Sequence, residues 1–71
     1  MANLINSTEI LRKFDISYQT LNYYTNLGLV HAIDKRGNKR FYNERELRER
    51  LEKIHKLKSE GYTLRLIRKL L

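Results

Sequence analysis

Between residues 17 and 26 the chain reads Ser-Tyr-Gln-Thr-Leu-Asn-Tyr-Tyr-Thr-Asn. Every side chain there except Leu21 carries a hydrogen-bonding group, and none carries a charge. Hydroxyls, amides and phenols without a neighbouring base or acid are poor catalysts, but they suit recognition. Asn and Gln can pair bidentately with adenine, and a tyrosine hydroxyl can bond a phosphate oxygen. The spacing predicts a helix over 18–26, with Ser17 as N-cap and Gly28 ending it in the left-handed conformation. On that helix Leu21, Tyr24 and Gly28 share one side, with Leu27 at its margin. Tyr18, Asn22 and Thr25 form a second stripe, and Gln19, Tyr23 and Asn26 a third. A plain solvent face would carry Lys or Glu. Tyr24 is therefore expected to pack in the core, and Tyr23 to face a partner. The free N–H groups at the helix start suit a phosphate.

Other chemistry finds little support. His31 and His55 are the only histidines, and there is no cysteine. A metal site needs about three or four ligands, so neither metal nor cofactor is expected. No Ser/His/Asp set has useful spacing, and no glycine-rich loop could cradle a phosphate. Glu44, Glu46, Glu49 and Glu52 read as helix-start and surface charges. An enzyme is not expected.

The charge is uneven. The net charge is +7, and the sequence pI is near 10.0. The excess sits in two places: Lys35, Arg36, Lys39 and Arg40, with no acid among residues 35–42, and Arg65, Arg68 and Lys69 in the last ten residues. Such a balance suits a polyanionic partner. The N-terminus has no basic-then-apolar pattern of a secretion signal, and no apolar run is long enough to span a membrane.

The elements that position these groups follow from caps and periodicity. Asn6-Ser7-Thr8-Glu9 predicts a capping box opening a first helix to about Lys13, with Ile10, Leu11 and Phe14 on its apolar face. Asp15-Ile16-Ser17 is a tight connection, so the first two helices make a helix-turn-helix. Leu29 to Ile33 and Arg40 to Tyr42 flank Gly37-Asn38 and predict a two-stranded ribbon with a basic tip. Asn43-Glu44-Arg45-Glu46 is a second capping box. It opens a helix to about Glu60 whose stripe is Leu47, Leu51, Ile54 and Leu57. Gly61 stops it. Thr63 caps a last helix with Leu64, Ile67, Leu70 and Leu71 facing the core. The whole reads as one mostly α domain, residues 1–71, with a winged helix-turn-helix architecture.

Thr20-Leu21-x-Tyr23-Tyr24, then Gly28-Leu29-Val30, Arg40-x-Tyr42 and Ile54…Leu57…Gly61-Tyr62-Thr63-Leu64…Ile67…Leu70 make a spaced set. Across about residues 5–71 it resembles the N-terminal DNA-binding domain of MerR-type transcription regulators. The resemblance implies a winged helix-turn-helix fold whose second helix enters the major groove of double-stranded DNA, with the wing, residues 34–42, on the backbone. Carried over by position, it puts Ser17, Tyr18, Gln19 and Asn22 at the groove and Tyr23 on phosphate. Arg36, Lys39, Arg40 and Tyr42 would make the wing contact. Three positions depart from the pattern. Asn22 stands where arginine is usual, Thr25 where an acid is usual, and Ala32 where proline is common. On this reading Arg40→Ala weakens all DNA sequences alike, while Asn22→Ala changes which sequence is preferred.

The resemblance also implies a bacterial, cytoplasmic, nucleoid-associated regulator that meets RNA polymerase at promoters. Relatives form homodimers through a long helix and carry an effector domain, so an excised DNA-binding domain is expected here. The alternative is a stand-alone excisionase-like or architectural DNA-binding protein. From a different class, the basic amphipathic tail, residues 62–71, could lie on an anionic membrane surface or pack on a partner helix. No membrane role is expected, because the same leucines are needed to close the core.

Overall fold

The structure, a computed structural model, describes residues 3–71. The first two residues of the expected 1–71 domain lie outside those described. A short strand β1 (Leu4–Asn6) leads into helix α1 (Ser7–Lys13). Asn6 caps α1 as its sequence predicts. Its side chain accepts from the Glu9 N–H at 3.0 Å, and the Glu9 carboxylate accepts from the Asn6 N–H at 3.5 Å. Seven residues cannot hold a helix alone. The fully buried Ile10 supplies the tertiary anchor. The chain then turns through Asp15, which takes a left-handed φ of 49°, a conformation that a short polar side chain tolerates.

Helix α2 (Tyr18–Leu27) starts at the Ser17 cap. It ends in a Schellman turn: the Leu29 N–H donates to the Tyr24 carbonyl at 2.9 Å and the Gly28 N–H to the Thr25 carbonyl at 3.1 Å. Gly28 has φ 81°, and a Cβ there would sit 3.2 Å from the Arg68 Nε. The guanidinium of Arg68 thus lies against the end of α2, where cations are favoured.

Strands β2 (Asp34–Arg36) and β3 (Lys39–Asn43) form the hairpin, turning at Gly37-Asn38 with φ 61° at Gly37. Two differences from the expectation appear. The sheet has three antiparallel strands in the order β1-β3-β2, because β1 pairs with the other side of β3, Ile5 opposite Tyr42. The ribbon also starts later than expected. The two-residue turn pairs Arg36 with Lys39 and Asp34 with Phe41, so the residues nearest the turn form the ladder. Leu29 and Val30 instead run as a buried connection.

Helix α3 (Glu44–Ser59) is capped by Asn43, whose side chain accepts from the Glu46 N–H at 2.9 Å. Only this forward half of the expected capping box forms, and Asn43 doubles as the last strand residue, opposite Leu4. Leu47 and Ile54 are buried, with Leu51 and Leu57 half-buried beside them. Helix α4 (Leu64–Leu70) is capped by Thr63. Ile67 is its one fully buried residue, while Leu70 is 53% exposed, against the expectation. At about 100° per residue, Leu64 and Leu71 fall to one side of Ile67 and Leu70 to the other.

Ile5, Ile10, Leu21, Tyr24, Leu29, Val30, Tyr42, Leu47, Ile54 and Ile67 make one core. It draws on every element except β2. A helix-turn-helix flanked by a β hairpin, with two further helices behind it, is a winged helix-turn-helix.

A salt bridge ties α1 to α3. Lys13 at the end of α1 donates to the carboxylate of Glu44 at the start of α3. The bond from Lys13 holds the Glu44 carboxyl below its ordinary value of 4.5, with the charges of Lys13 and Arg48 adding and partial desolvation opposing. A depressed folded pKa means that the contribution is complete above 4.5 and is lost as pH falls through the folded value. Lys13→Ala therefore lowers the melting temperature near neutral pH by a small amount, and the gap from wild type closes in acid. Thermal melts of both proteins across that range check the sign. A gap that widened in acid would contradict it.

Candidate nucleic-acid interface

The second helix presents the polar face expected of it. Tyr18 is 54% exposed and Tyr23 is 53% exposed, and Gln19 and Asn26 are exposed with them. Tyr24 is buried in the core, as its stripe implies. Ser17 is exposed, but its hydroxyl is engaged at the cap. It accepts from the Thr20 N–H at 3.1 Å and donates to the Thr20 Oγ1 at 2.8 Å.

On the wing, Lys35, Arg36 and Lys39 are exposed. Arg36 is braced over the Phe41 ring, 5.7 Å from its centroid, and its Nε donates to the Asp34 carboxylate at 3.1 Å. The other Asp34 oxygen accepts from the Lys35 N–H at 2.8 Å. The one acid at the edge of the basic run thus shapes the hairpin and neutralises part of Arg36. Lys35 belongs with the basic surface and was not singled out as a contact in the sequence, although it lies within the same charge run.

Two bonds bolt the helix to the wing. Arg40 is half-buried, and its Nη1 donates to the Asn22 Oδ1 at 2.9 Å. Tyr42 is 1% exposed, and its hydroxyl lies 2.8 Å from the Thr25 Oγ1. Thr25 donates its own proton to the Leu21 carbonyl at 2.8 Å, so the Tyr42 hydroxyl is the donor of the pair. Asn22 and Thr25 are three apart on a helix, and Arg40 and Tyr42 are two apart on a strand. Each spacing puts its pair on one face. The Ser7 hydroxyl also donates to the Arg40 carbonyl at 3.3 Å, tying α1 to the same strand.

This corrects the place of Tyr42. It is a core residue with its hydroxyl turned to Thr25, and it has no surface to offer a partner. Asn22 and Arg40 also differ from the expectation of separate roles, since each is the other's partner. Thr25, read from the sequence as part of a polar stripe but not as a site residue, is half-buried and joins α2 to β3. Its departure from the resembled pattern was the available signal.

Thr25 and Tyr42 give a directional test. Tyr42→Phe removes the donor and should cost about 0.5–1.5 kcal/mol, whereas Thr25→Val leaves a buried phenol donor unpaired and should cost about 1–3 kcal/mol. The double variant should cost less than the two together. Urea denaturation of the three variants checks the order, and the reverse order would make Thr25 the donor.

Away from this surface, an open groove of about 640 Å³ runs between the α1–α2 turn and α3. Phe14, Ile16, Leu51 and Ile54 floor it, and Arg48 lies over the Phe14 ring at 5.7 Å. Among the described residues no group of three or more His, Cys, Asp or Glu could hold a metal ion. No helix among them is long and apolar enough to cross a membrane.

The family model described as MerR HTH family regulatory protein matches residues 5–71. The match covers nearly the whole chain, which therefore belongs to the MerR family of helix-turn-helix regulatory proteins. No curated protein and no solved structure gives a significant match.

Proposed function

We propose that this MerR-family domain, a DNA-binding regulatory module by its family, binds duplex DNA with sequence bias. In this reading α2 lies in the major groove and the wing lies on the sugar-phosphate backbone. The observation that carries it is the join: an exposed, uncharged face of Tyr18, Gln19, Tyr23 and Asn26 is hydrogen-bonded, through Asn22 and Arg40, to a strand of a basic hairpin. Base edges are read by neutral donors and acceptors, while phosphates are met by cations. A rigid body carrying both, side by side, matches a groove beside its backbone. Ser17, Tyr18, Gln19 and Asn22 are the proposed groove residues, Tyr23 a phosphate contact, and Lys35, Arg36, Lys39 and Arg40 the wing contacts.

The domain works in the cytoplasm as part of a transcription regulator and has no catalytic role in this proposal. Paired copies on a two-fold site would bind far better than one, by effective concentration. Contact with RNA polymerase at a promoter and dimerisation through a further helix follow from the resemblance alone. A second reading concerns α4, where Leu66 and Leu70, four residues apart, are 42% and 53% exposed. That stripe could pack on a partner helix or lie on an anionic membrane surface, and either is compatible with DNA binding.

The test is selection of bound duplexes from a randomised pool, followed by sequencing. An enriched motif supports the proposal, and an inverted repeat adds pairing on DNA. Salt-sensitive binding without enrichment would leave only an architectural role, and no binding would overturn the proposal.

A further inference from the structure

The wing has two sides, and their charges differ. Side chains alternate along a strand, and residues directly opposite each other share a side. Asp34, Arg36, Lys39 and Phe41 therefore lie on one side of the hairpin, and Lys35, Arg40 and Tyr42 on the other. The contacts agree. On the first side Arg36 lies over Phe41 and donates to the Asp34 carboxylate. On the second side Arg40 and Tyr42 reach α2, at Asn22 and Thr25. The first side carries an acid of its own. The second carries two cations directly opposite each other, Lys35 and Arg40, and α2 has no acid to meet them. Among the described residues neither cation forms a salt bridge.

Like charges directly opposite destabilise a strand pair, so the fold by itself gains nothing from this pairing. Arg40 is half-buried, and its side chain bonds to a neutral group, the Asn22 amide oxygen, at 2.9 Å. An amide holds a guanidinium in place without cancelling its charge, as a carboxylate would. A guanidinium has five N–H donors, so Arg40 keeps donors to spare. Its bond to Asn22 forms before any partner arrives, and binding need not order that side chain again. Arg40 is thus an oriented, uncompensated cation at the junction of α2 and the wing, with the Lys35 ammonium on the same side. Two adjacent cations with free donors and no acid suit one anion with several acceptor oxygens, which is what a backbone phosphate offers. We infer that Lys35 and Arg40 clamp one DNA phosphate at this junction, and that Asn22 is the positioning residue that holds Arg40 ready for it. Asn22 then acts through Arg40 and on every sequence alike, and Arg36, on the other side, contributes less. The inference rests on the proposed DNA binding.

Binding of labelled duplexes of two unrelated sequences is measured across a salt series, for wild type and for variants whose fold is checked by circular dichroism. Lys35→Ala and Arg40→Ala should each lower the salt slope by about one. Arg36→Ala should lower it by less, since Asp34 already offsets that charge. Asn22→Ala leaves every charge in place. It should keep the slope and weaken both duplexes about two- to tenfold, the cost of ordering one long side chain on binding. Added to Arg40→Ala, it should weaken binding no further. Tyr42→Phe cuts the other helix–wing bond without touching a cation, and should leave the affinity unchanged.

A drop in slope for Arg36→Ala as large as for Lys35→Ala and Arg40→Ala would overturn the inference. So would an Asn22→Ala variant that binds like wild type, or one whose loss persists in the Arg40→Ala background, which would give Asn22 a contact of its own. An equal loss in Tyr42→Phe would also overturn it, by making the Asn22 bond only a tie between helix and wing. If Asn22→Ala or Arg40→Ala unfolds, the slopes of Lys35→Ala and Arg36→Ala, both at exposed positions, decide. Failure of the wild type to bind either duplex would instead overturn the proposed function, and is seen before any variant is made.

Discussion

Raising monovalent salt from about 50 mM to about 200 mM should weaken the complex with duplex DNA by roughly three hundred- to a thousandfold. The cations are placed for it. Lys35, Arg36 and Lys39 stand exposed on one hairpin, with the half-buried Arg40 opposite Lys35. The Asp34 carboxylate offsets part of Arg36, and Arg68 is spent on the end of α2, so the effective number of phosphates met is below the net charge of +7. With about four to six phosphates neutralised, log K should fall against log salt with a slope of about −4 to −5. A titration series with one labelled duplex measures that slope. A value near zero would remove the wing from the interface.

The second large effect is on folding. Ile67→Ala should cost about 2–5 kcal/mol, most of the few kcal/mol that a core of this size supplies. Helix α4 has seven residues, and Ile67 is the one that is fully buried. Truncating it leaves a cavity where the α4 side chain closes the core, and frees the helix that lays Arg68 against Gly28. Leu70→Ala, on the same helix, should cost within about 0.5 kcal/mol, as exposed positions do. Urea denaturation followed by helical ellipticity separates the two. Equal costs would mean that α4 is rotated so that Leu70 also packs inward. Because Leu66 and Leu70 face outward, the same pair of variants also tests whether that stripe is free for a partner helix.

Local signals in this chain were legible because their causes are local. The Asn6, Ser17 and Thr63 caps, the left-handed Gly28 and the stripe of α3 each depend on residues within a turn or two, and each is found where the sequence predicts it. Tyr24 in the core and Tyr23 outside follow from helical period alone. The family, too, was legible, since spaced motifs survive without any knowledge of packing.

Contacts between distant segments were not. Strand β1 has three residues, too few to show a period, and exists because β3 offers it an edge some thirty-five residues along the chain. Leu70 looked inward because a spacing of three reads as one face, and only the rotation of α4 about the buried Ile67 separates Leu64 and Leu71 from it. Arg40-x-Tyr42 looked like two contacts of one kind. In the fold Tyr42 is a buried donor to Thr25, and Arg40 spends a donor on Asn22. By itself, then, the sequence determined the helices, the hairpin turn, the basic wing and the neutral polar face of α2. The tertiary structure decided which hydrogen-bonding groups are still free on that face. Side-chain type fixes what a group can donate or accept, but only its neighbours in space fix what it has left to give.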